Sequence, residues 1–161
     1  MMKEKCRKSL MEAAVQTFED LGMMLLNEEL TKEQREAKSE ASVMITFDGP
    51  FTGRLEVTVY GAVTKKLVSN ISGSEEISSD ILSLDALGEI ANVICGNVLP
   101  RIAGSKEIFH LTSPQSLDTV SKSQTGAGLD LLADAKLGLE DGRAEINLFV
   151  DQTADKILEG V

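Results

Sequence analysis

The chain has 161 residues, of which 42% are hydrophobic, and a domain of that length can bury about two-thirds of its unfolded surface without staples. Five Phe, one Tyr and no Trp leave the core to Leu, Ile, Val, Ala and Met and argue against an aromatic cofactor cage. A formal net charge of −10 opposes phosphate backbones and anionic lipid, which excludes nucleic acid and membrane surfaces as expected partners and favours a basic protein patch.

The opening MMKEKCRKSLMEAAVQTFED lacks the apolar core of a signal peptide, so a cytoplasmic location is expected. Leu10, Ala14, Phe18, Leu21 and Leu25 recur at helical spacing and predict one long amphipathic helix from Lys3 to Glu29. The polar segment Glu28 to Glu40 reads as a linker or a solvated extension of that helix. SVMITFDGPFTGRLEVTVYG alternates on either side of Asp48-Gly49-Pro50, with Val43, Ile45 and Phe47 on one face and Leu55, Val57 and Val59 on another, a hairpin signature. Ala62 to Ile71 predicts a short helix, and SGSEEISSD supplies a loop before a central helix beginning near Leu82. Pro100 should kink or end that helix, with Gly104 as its stop. Glu107 to Leu111 reads as a short strand and Thr112 to Gly128 as a loop containing Pro114. Leu129 to Leu139 and Ala144 to Val150 form a second hairpin around Glu140-Asp141-Gly142, and DQTADKILEGV adds a final helical turn. No internal repeat is visible and no apolar run approaches the roughly 20 residues that span a bilayer. The expectation is therefore one α+β domain over residues 1–161, an antiparallel sheet of about six strands packed with roughly three helices.

The central helix carries the most informative pattern. At 100° per residue, Leu84, Leu87, Ala91, Ile94, Cys95, Val98 and Ile102 make a buried arc, opposite Asp85, Gly88, Glu89, Asn92, Gly96 and Ala103. A glycine inside a helix costs about 1 kcal/mol relative to alanine, so Gly88 and Gly96 on an exposed stripe suggest close approach by a partner.

Other chemistries find little support. His110 is the only histidine, which excludes a histidine triad or multi-histidine metal site. Cys95 lies on the apolar arc and Cys6 in a charged stretch, so two reduced thiols are expected rather than a disulfide or a nucleophile. The acidic residues Asp130, Asp134, Glu140, Asp141, Glu145, Asp151 and Asp155 lack calcium-loop spacing, and neither GxxxxGK[ST] nor GxGxxG occurs.

DALGEIAN, followed after 21 residues by Pro114 in HLTSPQS, resembles the D/S-x-x-x-E-x-x-N and distant-proline signature of the CheC/CheX/FliY chemotaxis phosphatases. A single motif helix, continuing as N-x-x-x-G, resembles the CheX branch in particular, as do the DLG ending of the first helix and the FTGRLEVTV strand. The resemblance implies a CheC/CheX-like fold, a homodimer joined through its sheet, and hydrolysis of the aspartyl phosphate of a CheY-like response regulator. Asn92 would orient the attacking water, Glu89 would dock the regulator, Asp85 would assist, and Gly88 and Gly96 would admit the partner. No cofactor is implied for this chain, because the phosphorylated regulator supplies its own Mg²⁺. The alternative is a non-catalytic CheX-like dimer that binds or scaffolds a regulator; a rotor-switch component is a third, weaker reading.

Overall fold

A computed structural model describes residues 2–72, 80–117 and 128–159. Helix α1 (Met2–Asp20) buries Cys6, Leu10, Ala13, Ala14, Thr17 and Phe18 at three- and four-residue spacing. It stops well short of the expected Glu29. The amides of Leu21 and Gly22 both turn back to the Thr17 carbonyl, at 2.9 and 3.1 Å, and Met23 takes a positive φ of 50°. Gly22 is demanded there, since a Cβ would stand 2.7 Å from the Phe18 carbonyl oxygen. The chain leaves the helix with Leu25 exposed, and Leu26–Asn27 becomes strand β1, paired with Leu139 and Gly138.

The polar stretch expected as a linker is folded. Helix α2 (Lys32–Glu36) opens on a capping box between Thr31 and Gln34. Gln34 is buried, donating from Nε2 to the Leu139 carbonyl at 2.6 Å and to Asn27 Oδ1 at 2.9 Å. Arg143 closes the other end of α2, giving Nη1 to the carbonyls of Gln34 and Ala37 while its guanidinium lies 3.7 Å over the Tyr60 ring.

Strands β2 (Ser39–Asp48) and β3 (Gly53–Gly61) form the expected first hairpin. Their register sets Val43 opposite Val57 and Ile45 opposite Leu55, so the two apolar sets share one face rather than occupying two. Glu40 accepts from the Val63 and Thr64 amides and the Thr64 hydroxyl, all at 2.9 Å, which caps helix α3 (Thr64–Ser72) from outside its own segment. Helix α4 (Asp80–Ala103) continues past Pro100 by three residues and ends where Gly104 adopts a φ of 103°. Proline is exposed there and removes a single helical hydrogen bond.

Strands β4 (His110–Leu111), β5 (Gln115–Ser116), β6 (Asp130–Leu139) and β7 (Gly142–Val150) complete a seven-stranded antiparallel sheet ordered β1-β6-β7-β3-β2-β4, with β5 also on β2. Helix α5 (Thr153–Glu159) follows. The inward residues of β2, β3, β6 and β7 join α1 and α4 in one hydrophobic cluster, the α+β architecture expected. By length and composition Ile81–Ala103 could cross a membrane, with a mean hydropathy of 1.3, contrary to the expectation that no such run exists. Here its apolar side is the centre of the core: Leu87, Ile90, Ala91, Ile94, Cys95 and Val98 are fully buried against α1, α3 and the sheet.

Candidate functional site

Helix α4 is buried over a wider arc than a lone sheet contact requires, because α1 and α3 flank it. Ala86, Ile90 and Leu99 are buried as well as the predicted positions other than Leu84, which is half-buried, and Ala103, expected on the open stripe, is 4% exposed. What remains open is narrow. Asp85, Glu89 and Asn92 are exposed and recur at i, i+4 and i+7, so they stand in one row along the helix. Among the described residues their side chains have no hydrogen bond or ion pair with their own chain.

The opposite wall comes from the edge of the sheet. Strands β4 and β5 both pair antiparallel with the same edge of β2: Leu111 faces Phe47, Gln115 faces Met44 and Ser116 faces Val43. Thr112 continues the ladder, its amide donating to the Thr46 carbonyl at 2.9 Å while its Oγ1 accepts from the Thr46 amide at 3.1 Å. Ser113 and Pro114 therefore stand opposite Ile45 alone, which is a β-bulge in an otherwise continuous edge strand. A bulge is where an edge strand tolerates proline, since the missing N–H breaks no ladder bond.

The bulge leans on the helix. A Cβ added to Gly88 would lie 2.9 Å from Pro114 Cβ and 3.1 Å from Cγ, so the ring sits where any larger residue at 88 would be. Gly88 is accordingly buried, a correction to its expected place on an open stripe, and its missing side chain is accounted for within the chain. Gly96 is different: it is exposed, and a Cβ there would meet nothing within 4 Å.

Between helix and bulge lies a cleft of about 680 Å³, lined by Asp85, Gly88, Glu89 and Asn92 on one side and Thr112 to Ser116 on the other, with Val43, Leu84 and Leu111 between. Four of the five residues singled out from sequence thus meet at one cleft, while Gly96 lies beyond it on the same helix. The bulge wall was missed as part of the site. Its only trace in the sequence was the proline at fixed distance from the motif.

Both thiols are free and buried; Cys6 is 2% exposed despite its charged neighbours in sequence. Burial pushes the Cys6 thiol up and the Cys95 thiol up to about 12, so neither offers a thiolate near neutral pH. His110 is exposed on β4, where it pairs with Asp48 across the ladder and does not line the cleft.

The site is thus a helix-on-sheet scaffold that presents two carboxylates and then a carboxamide along one side of an open cleft. The family model for the chemotaxis phosphatase CheX matches residues 41–125, and the chain belongs to that family. Among solved structures it is similar to the chemotaxis protein CheX of Vibrio vulnificus, with 15% identity, 92% of this chain and 98% of that one covered, and a TM-score of 0.68. CheX of Desulfovibrio desulfuricans matches at 15% identity over 91% and 99% of the two chains, with a TM-score of 0.66. The CheX–CheY–BeF3–Mg complex of Borrelia burgdorferi matches at 18% identity over 90% and 97%, with a TM-score of 0.61. No curated protein matches the sequence.

Proposed function

We propose that this protein is a phosphatase for the aspartyl phosphate of a CheY-like response regulator. The observation that carries the reading is the row of Asp85, Glu89 and Asn92, exposed at the lip of the cleft with no hydrogen bond or ion pair among the described residues. Hydrolysis of an acyl phosphate is largely a matter of position, because the departing carboxylate is a good leaving group. The regulator brings Mg²⁺ and cationic groups to its own phosphoryl oxygens, so the phosphatase needs to add only an in-line water. Asn92 suits that role, because its carboxamide offers a donor and an acceptor to one water and stays neutral beside a phosphate. Glu89, one helical turn away, pairs with a regulator cation and fixes the docked register. Asp85 extends the same row by a further turn and assists docking.

Gly96 completes the surface, since its open flank lets a partner's backbone come close to the helix. The family match supports the reading, as does the fold shared with a CheX crystallised with CheY. We further propose that the protein acts in the cytoplasm, as a homodimer joined through its sheet. The side of the sheet opposite α1 and α4 carries Leu131, 44% exposed, beside half-buried Phe149.

The deciding experiment follows the decay of a ³²P-labelled CheY-like regulator with catalytic amounts of wild type or Asn92→Ala. Loss of an orienting group of this kind slows turnover about 10²- to 10³-fold, or roughly 3–4 kcal/mol, while binding persists. Glu89→Ala instead weakens affinity, and salt weakens it further. An Asn92→Ala protein that hydrolyses at the wild-type rate overturns the assignment. Stoichiometric binding that prolongs the phosphoryl lifetime would establish the scaffold in its place.

A further inference from the structure

We propose that the Pro114 bulge is a spacer that sets the width of the docking cleft, which makes Gly88 and Pro114 positioning residues for regulator binding. The inference rests on the phosphatase reading and extends it to residues that need not touch the phosphoryl group. Its first support is the register: Ser113 and Pro114 oppose Ile45 alone, so the edge strand departs from the ladder between Thr112 and Gln115. A bulge bends its strand and re-aims the side chains it carries.

The second support is the contact itself. Pro114 meets the helix at Gly88, the residue immediately before Glu89 and three after Asp85, so the point of contact lies inside the polar row. Any side chain at 88 would push the bulge outward; any shrinkage at 114 would let it collapse inward. Third, the bulge is pinned on both sides. Thr112 is held by Thr46 through its amide and hydroxyl, and Leu117 donates to the Ser42 carbonyl at 3.1 Å. A proline ring with fixed φ, held between two anchored ends, is a stiff gauge rather than a free loop tip. One wall of the cleft is thus set by the sheet, the other by the core helix, and one apolar contact fixes the gap.

The test is a double-mutant cycle on Gly88→Ala and Pro114→Gly, with KM and kcat taken from regulator dephosphorylation and thermal unfolding measured in parallel. Each single change should raise KM about tenfold and leave kcat within about twofold, and the double variant should be no worse than Pro114→Gly alone, the non-additivity that contacting residues show. Pro114→Gly clears the space that the methyl of Gly88→Ala would need, so a Gly88→Ala change that costs nothing further in the Pro114→Gly background separates a cleft-width effect from misfolding. Variants that melt earlier yet keep wild-type KM, or defects that simply add, overturn the spacer while leaving the phosphatase intact. A wild type that does not shorten the phosphoryl lifetime overturns the parent reading instead.

Discussion

Replacing Gly96 with alanine should strengthen the free protein and weaken its complex. Residue 96 lies in the interior of α4, is exposed, and has no atom within 4 Å of where a Cβ would be, so the added methyl meets no obstacle within the fold. An exposed helical Gly→Ala change at such a site contributes about 1 kcal/mol, mostly by removing freedom from the unfolded chain. In a chain of this size that corresponds to a melting temperature roughly 2–4 °C higher. At a close interface the same methyl costs about 1–3 kcal/mol of overpacking, which is about 5- to 150-fold in affinity. Thermal unfolding followed by circular dichroism reads the first effect; titration of a phosphorylated or phosphoryl-mimicking regulator reads the second. A variant that gains no stability would refute the helix argument. One that gains stability and binds as well as wild type would refute the idea that Gly96 is kept small for a partner.

Three further outcomes are expected. Glu40→Ala removes the acceptor for two backbone amides and one hydroxyl at the start of α3, and its urea midpoint should fall by the equivalent of about 1–2 kcal/mol at unchanged m-value. Cys6 and Cys95 should resist a thiol reagent near about pH 8 in the native state and react together, at the rate of unfolding, once denaturant is added; rapid labelling of either in the native protein contradicts the burial argument. The Lys66 ammonium and the Leu25 amide hold the Glu140 carboxyl below its ordinary value of 4.5, so ionisation favours the folded state. That contribution is complete above the ordinary value and fades as pH falls through the lowered one, so Lys66→Met should be less stable than wild type near about pH 7 and converge with it in acid. A stability gap that is the same at both pH values would refute the linkage.

The elements legible in the sequence were those whose own period decides their place. The β2–β3 and β6–β7 hairpins show themselves by apolar runs around turn residues, most regularly in β3 and β7, and α4 announces both its buried arc and its polar row. The failures share a cause, which is that a distant segment completes the element. Leu21 and Leu25 keep helical spacing, yet the chain turns at Gly22 and Leu26–Asn27 finds a ladder on β6, over a hundred residues away. The polar run before β2 looked solvated because nothing in it shows that Gln34 reaches Leu139, or that Glu40 caps a helix beyond the next hairpin. At the site, the row of Asp85, Glu89 and Asn92 could be read from helical geometry alone. Gly88 could not: its neighbour Pro114 is brought to it by strand pairing, and a pairing between a two-residue strand and an edge leaves almost no periodic signal.

Helix α4 divides its residues between two masters. Leu87, Ile90, Ala91, Ile94, Cys95 and Val98 answer to the core, while the exposed side chains of Asp85, Glu89 and Asn92 make no hydrogen bond or ion pair among the described residues. The two sets can therefore drift independently over evolutionary time. An exposed residue such as Asn92 can be traded for another polar one without unsettling the molecule that carries it. The inward set has no such liberty, yet it asks only for apolar volume, which many sequences satisfy. Preserved shape at 15–18% identity, as between this chain and the three CheX structures, is what such a division of labour leaves behind.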